Sequence, residues 1–329
     1  MSQNLDPEYL AAIEPYIPIL SQAPKASIGD VTSRRANLDG LFDMLMEHWP
    51  EVDDVERSNF TVQSSDGHSV PVHKFVPTDS SSGPRGDQGD VRPAVLYCHG
   101  GAYFSLSVEH YRRVIEIYVS RSRVPIFAVE YRQAPEHPFP APLEDCYAAL
   151  DYLSQHASDF QIDPSRIAVL GDSAGGGLAA AVAIKARDQQ LNPPLAKQML
   201  IGAMLDDRTT GIRHPAINSL VTWTDDDNLT GWQAYLGADK VDAETGLHPH
   251  AVPARCEEVT GLPPLYLEVP FYDIFRDENL VWAARMAGEG ISTELHCWSG
   301  VPHSFELYAP RIETARIALD CRVKCMKQL

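Results

Sequence analysis

The pentapeptide Gly171-Asp172-Ser173-Ala174-Gly175 has the form G-x-S-x-G, and its neighbours give the pattern a chemical meaning. It follows the apolar run Ile167 to Leu170 directly and opens the helical run Leu178 to Ala186. The serine therefore falls on a sharp strand-to-helix turn. Such a turn lifts a hydroxyl above the sheet, and glycines on either side let helix and strand approach closely. The bland alternative is a glycine-rich helix start that only packs tightly or binds an anion. A serine hydroxyl is a poor nucleophile at neutral pH, so it needs a base, and the base needs an orienting carboxylate.

With the nucleophile on such a turn, the acid and then the base are expected later in the chain, each just after a strand. His303, in Gly300-Val301-Pro302-His303-Ser304-Phe305, lies between the last predicted strand and the final helix. Asp273 follows the strand predicted at 264–269 and is favoured as the acid. Its rival Asp277 sits at a predicted helix start, where an acidic residue serves as cap or dipole partner. Acyl transfer also needs donors aimed at a developing oxyanion. His99-Gly100-Gly101-Ala102 follows the strand at 93–98. Its small residues Gly100, Gly101 and Ala102 can bring backbone N–H groups against a substrate carbonyl, and Ala174 supplies another.

The elements that must position these groups are legible from periodicity. Short apolar runs at 93–98, 125–130, 166–170, 197–204, 264–269 and 291–297 alternate with helical stretches near 107–122, 141–157, 174–188, 276–288 and 306–327. That alternation predicts an α/β fold, a mostly parallel sheet with helices on both faces. Ahead of it, Val55 to Val76 alternates around Asp66-Gly67 and predicts a hairpin. Residues 1–50 read as short helices, with Leu38, Leu41, Phe42, Leu45 and Met46 at helical spacing and Pro7, Pro15, Pro18 and Pro24 as breaks. Thr78 to Asp90 is Ser-, Gly- and Asp-rich and reads as a mobile surface loop. Residues 206–255 break the alternation and read as an insertion, carrying Trp223, Trp232, Tyr235 and the run Asp225-Asp226-Asp227.

Composition narrows the function classes. The 329 residues are 44% hydrophobic and 22% charged, which is the balance of a folding chain. The 27 basic and 45 acidic side chains leave a net charge of −18, against nucleic acid as a partner. No basic n-region precedes an apolar run at the N-terminus and no stretch approaches a membrane span, so the reading is a cytoplasmic protein without a transmembrane segment. The six cysteines are scattered and read as buried reduced thiols, and His248 and His250 lack a third ligand. Neither metal nor cofactor is expected.

Taken together, His99 to Ala102, Tyr131-Arg132-Gln133-Ala134-Pro135-Glu136 with the following Pro-Phe-Pro, Gly171 to Gly176, Asp273 in its DIFRDE run and His303 resemble the hormone-sensitive-lipase type of α/β-hydrolase, a family of carboxylesterases. The resemblance implies an α/β-hydrolase fold with core segments 51–205 and 256–329, capped by residues 1–50 and by the 206–255 insertion. It also implies that Gly101 and Ala102 join Ala174 as oxyanion donors. Three positions depart from the family pattern. Ala102 stands for a third glycine and keeps its N–H. Pro270-Phe271 replaces the Gly-Glu frequent before the acid, so the apolar side of the acid loop is expected to reach the substrate. Ser304 replaces the glycine usual after the histidine.

The expected activity is hydrolysis of small-to-medium acyl esters or lactones by Ser173, His303 and Asp273, with Phe104, Trp223, Phe271 and Tyr272 against the substrate. An acyltransferase or lactone-forming enzyme would use the same acyl-enzyme, and a non-catalytic ligand-binding receptor of this fold is the third reading. Nothing in the sequence decides between a monomer and a homodimer.

Overall fold

A computed structural model describes residues 5–18, 26–78, 91–209, 222–238, 240–241 and 247–329. The surface loop read at Thr78 to Asp90 lies outside them from residue 79 onward, as do residues 210–221, 239 and 242–246 of the 206–255 insertion. The described strands are β1 (Val55–Gln63), β2 (Ser69–Pro77), β3 (Arg92–Cys98), β4 (Ile126–Val129), β5 (Ile162–Asp172), β6 (Lys197–Ile201), β7 (Leu265–Tyr272) and β8 (Thr293–Pro302). They form one sheet in the order β1-β2-β4-β3-β5-β6-β7-β8. β1 and β2 are the predicted hairpin, β2 runs antiparallel to β4, and β3 to β8 are all parallel. The fold class is the α/β architecture expected from the alternating pattern.

Side-chain alternation along the strands sends successive residues to opposite faces. Leu96, Val169, Leu200 and Leu267 pack on one face with helices α4 (Ala141–Gln155), α5 (Ala174–Asp188) and α7 (Arg276–Gly288). Val95, Tyr97, Leu170 and Met199 pack on the other with α3 (Arg112–Ser122) and α9 (Glu313–Lys327). Continuous apolar runs are what a sheet covered on both faces requires.

The remaining helices are α1 (Pro7–Ile13), α2 (Val31–Met46), α6 (Asp225–Leu236) and α8 (Phe305–Tyr308). Asp6 caps α1 by accepting from the Glu8 N–H, and Tyr9 is buried against Val301, Phe305 and Ile312. α2 lies beside α6, whose start is a capping box of Thr224 and Asp227. Trp232 of α6 is fully buried in the main core.

Several boundaries differ from the pattern reading. The final helix predicted at 306–327 is two helices, because Pro310 cannot continue the first. The helix predicted from 107 begins at Arg112. β6 stops at Ile201 where Gly202 turns at φ +49°. β7 and β8 run past their apolar cores to Tyr272 and Pro302, which pair with each other. All six cysteines are free, but only four are buried: Cys297 is exposed and Cys321 half-buried.

Candidate active site

Ser173 joins β5 to α5 with φ 55° and ψ −120°, a backbone position that is sparsely populated for an L residue and persists only where its surroundings over-determine it. Two bonds clamp it: its N–H donates to Ile201 O at 2.8 Å, and its carbonyl accepts from Met204 N–H at 2.9 Å. The flanking glycines are a steric requirement. A Cβ on Gly171 would lie 2.1 Å from Gly175 O, and one on Gly175 would lie 2.1 Å from Cys98 O.

The pairing of Tyr272 with Pro302 brings the residues that follow β7 and β8 together. His303 Nε2 lies 3.0 Å from Ser173 Oγ, and His303 Nδ1 lies 2.6 Å from Asp273 Oδ2. Asp273 is buried, and its other oxygen accepts from the Phe275 N–H at 2.9 Å. The rival Asp277 instead pairs with Arg276 in the first turn of α7, its side chain 35% exposed. Thr222 Oγ1 donates to His303 O at 2.7 Å, and Ser304 takes the left-handed conformation, φ 56°. Burial alone would lower the His303 pKa. The Asp273 carboxylate, by charge and hydrogen bond and with help from Glu306 and Asp172, outweighs burial and raises it above the ordinary imidazole value. An imidazole so held can take the proton of the Ser173 hydroxyl.

The segment His99 to Ala102, read from the sequence as the oxyanion loop, follows β3. His99 is buried and stacked on Tyr131 at 4.3 Å, and burial lowers its pKa to about 4, which keeps it neutral. Gly101 and Ala102 line the same cavity as Ser173 and His303, a space of about 510 Å³. Ala174 is the first residue of α5, where an N–H has no intrahelical acceptor. Gly100 differs from its expected place. Its backbone bonds to the Tyr111 hydroxyl, and it is Tyr111 rather than Gly100 that lines the cavity.

The four residues expected against substrate separate. Trp223 lines the cavity. Phe104 does not, because its ring is fully buried with Ala102, Ala134 and Ala234. Phe271 points outward, 42% exposed, with the Arg276 guanidinium 4.8 Å from its ring centre. Tyr272 is buried edge-on to Phe271 and belongs to the β7–β8 join. Of the apolar residues before the acid, Pro270 lies beside Ser173 and His303, whereas Phe271 and Tyr272 do not line the cavity.

Some participants carried no local signal. Leu38, Leu41 and Phe42 of α2 line the cavity, and only their helical spacing was legible. A Cβ on Gly202 would sit 3.3 Å from the His303 ring and 3.4 Å from Asp273 Oδ2, so a side chain there would crowd the imidazole–carboxylate pair. Below the turn, Asp172 is bonded by Tyr97, and burial pushes its carboxyl up to about 7. Arg322 bonds Glu268, Glu306 and Tyr118 in the same buried region. Among the described residues, no group of three or more His, Cys, Asp or Glu is placed to hold a metal ion, and no helix is long and apolar enough to cross a membrane.

Residues 95–307 match a protein-family model described as alpha/beta hydrolase fold. The chain is 31% identical over 236 residues to an esterase, LipI, of Mycobacterium tuberculosis, covering 71% of this chain and 72% of that one. It is 30% identical over 245 residues to the carboxylesterase NlhH of the same species, covering 73% and 74%. Among solved structures, a bacterial heroin esterase superposes with a TM-score of 0.85 at 32% identity, covering 98% of this chain and 97% of that one. A hyperthermophilic esterase from the archaeon Pyrobaculum calidifontis does so with a TM-score of 0.82 at 27% identity, with 98% of each chain covered.

Proposed function

The chain belongs to the alpha/beta hydrolase fold family, in its hormone-sensitive-lipase type, and is a serine ester hydrolase; from that premise we propose that Ser173, His303 and Asp273 are its catalytic triad. The observation that carries this reading is the continuous relay from Oγ through the imidazole to a buried carboxylate, 3.0 and 2.6 Å long, at the wall of the cavity. Ser173 Oγ attacks the ester carbonyl carbon while His303 Nε2 takes its proton. The carbonyl π electrons move to oxygen, which receives N–H bonds from Gly101, Ala102 and Ala174. Collapse expels the alkoxide, protonated by His303, and leaves an acyl-enzyme that water hydrolyses by the same steps. Asp273 holds Nδ1–H, so that Nε2 carries the lone pair.

The substrate proposed is a small-to-medium acyl ester, because the cavity of about 510 Å³ must hold both sides of the ester and is roofed by Leu38, Leu41 and Trp223. A series of p-nitrophenyl esters tests this. kcat/KM should peak at acyl chains of roughly two to six carbons and fall steeply at laurate, since a chain that outgrows its pocket loses transition-state binding. A maximum at laurate would contradict the assigned size.

The raised His303 pKa gives a signed pH dependence. Only the neutral imidazole can accept the serine proton, so kcat/KM should rise with pH through a midpoint above the ~6.5 of a free imidazole. In Asp273→Asn the residual activity should have a lower midpoint, because the carboxylate that outweighs burial is gone. A profile flat between about pH 5 and about pH 9 would speak against a histidine base.

A further inference from the structure

The segment that carries the oxyanion donors is strained. Gly101 has φ 123°, and Ala102, Tyr103 and Leu106 have φ 55°, 68° and 66°, in the left-handed region. Three L residues in that region within five positions persist only where contacts over-determine the backbone. The loop is folded tightly on itself: Gly101 O accepts from the Phe104 and Ser105 N–H groups at 3.0 and 2.9 Å. A Cβ on Gly101 would lie 1.9 Å from Ser105 O, so only glycine fits there, and the Ser105 N–H bond to Gly101 O ties the positions of the two residues together.

The outer half of this loop is held by α2. Arg35 Nε donates to Phe104 O at 2.5 Å and Nη2 to Ala134 O at 3.1 Å, while the two terminal nitrogens grip the Glu136 carboxylate at 2.9 and 2.8 Å. One turn later, Asp39 Oδ1 accepts from Ser105 Oγ at 2.7 Å and from the Leu106 N–H at 3.0 Å. With side chains 31% and 56% exposed, the Arg35–Glu136 pair adds little stability as an ion pair. Its consequence is geometric, since the planar fork spans two carbonyls and a carboxylate at once. Residues 34, 38, 41 and 42 of the same helix line the substrate cavity.

We infer that Arg35 and Asp39 are positioning residues that hold the oxyanion loop in its donor geometry, so that one helix both encloses the substrate and sets the oxyanion hole. This rests on the reading of Gly101 and Ala102 as donors. Neither side chain touches substrate. Losing either bond set should let Ser105 shift and tilt the Gly101 and Ala102 N–H groups, weakening transition-state binding and leaving ester binding intact.

The test uses Arg35→Ala, Arg35→Lys, Asp39→Ala and Asp39→Asn in the full chain. Turnover of p-nitrophenyl acetate is counted per active site titrated with a p-nitrophenyl phosphonate, so misfolded protein drops out. In parallel, inhibition is measured with an alkyl trifluoromethyl ketone and with its methyl ketone counterpart. On the trifluoromethyl ketone, Ser173 Oγ adds to the carbonyl carbon, its proton goes to His303, and the π pair becomes an oxyanion in the hole. The expected result is a fall in kcat of at least about tenfold in both alanine variants, with KM within about twofold. Trifluoromethyl ketone affinity should fall in proportion and methyl ketone affinity should stay. Asp39→Asn keeps an accepting oxygen and should restore most of kcat, whereas Arg35→Lys, lacking the fork, should stay low.

The inference is overturned if both alanine variants keep kcat per site and ketone affinity within about twofold of the parent, or if the loss falls on KM alone. A parent enzyme that binds the trifluoromethyl ketone no more tightly than the methyl ketone would instead remove the oxyanion reading beneath it.

Discussion

Ser173→Ala should lower ester turnover by at least about 10⁴-fold while leaving the fold intact. The substitution removes the only atom within hydrogen-bond reach of His303 Nε2 among the described residues, so the imidazole keeps its carboxylate and loses its proton donor. The backbone at 173, φ 55° and ψ −120°, is set by its bonds to Ile201 and Met204, which the alanine still makes. Folding should therefore be unchanged in circular dichroism and in melting temperature. Residual turnover reflects whatever the oxyanion donors achieve with water as nucleophile. A purified variant retaining more than a few per cent of the parent rate would mean that another residue attacks the ester.

The second large effect separates two aspartates four positions apart. Asp273→Asn should lower kcat by about 10⁴-fold, and Asp277→Asn should change it by no more than about twofold. Asp273 Oδ2 accepts from His303 Nδ1–H. An asparagine can instead offer an N–H to Nδ1, which moves the ring proton to Nε2 and leaves no lone pair for the serine proton. Asp277 pairs with the neighbouring Arg276 in the first turn of α7, where loss of its charge alters a partly exposed ion pair away from the imidazole. Steady-state rates on one short-chain ester, with both proteins checked for folding, decide the matter. Equal losses in the two variants would mean that the acid is not Asp273.

Much of this arrangement was legible along the chain, for reasons that are local. The strand, turn and helix around Ser173 announce themselves because hydrophobic period and glycine placement change within a few residues. The stretches 174–188 and 276–288 are the observed α5 and α7. Ser173, Asp273 and His303 can meet because β5, β7 and β8 run parallel and present their carboxyl ends on one edge of the sheet. Where local signals compete, the reading slipped: the apolar face of 306–327 masked the break at Pro310.

By itself, then, the sequence determined the architecture, the strained serine and a short list of partners for it, because each depends on periodicity or turn chemistry within about ten residues. Position after a strand already favoured Asp273 over Asp277, but only tertiary structure sets Asp273 Oδ2 2.6 Å from His303 Nδ1, since that contact depends on how β7 registers against β8, and Tyr272 meets Pro302 only in the folded sheet. Tertiary structure also turned Phe271 outward, buried Phe104 against Ala102, Ala134 and Ala234, bonded the Gly100 backbone to Tyr111, and brought Arg35 and Asp39 across some seventy residues of chain to residues 104–106. Contacts of that separation are chosen by packing and by the satisfaction of buried polar groups over the whole molecule, and no window of sequence carries them.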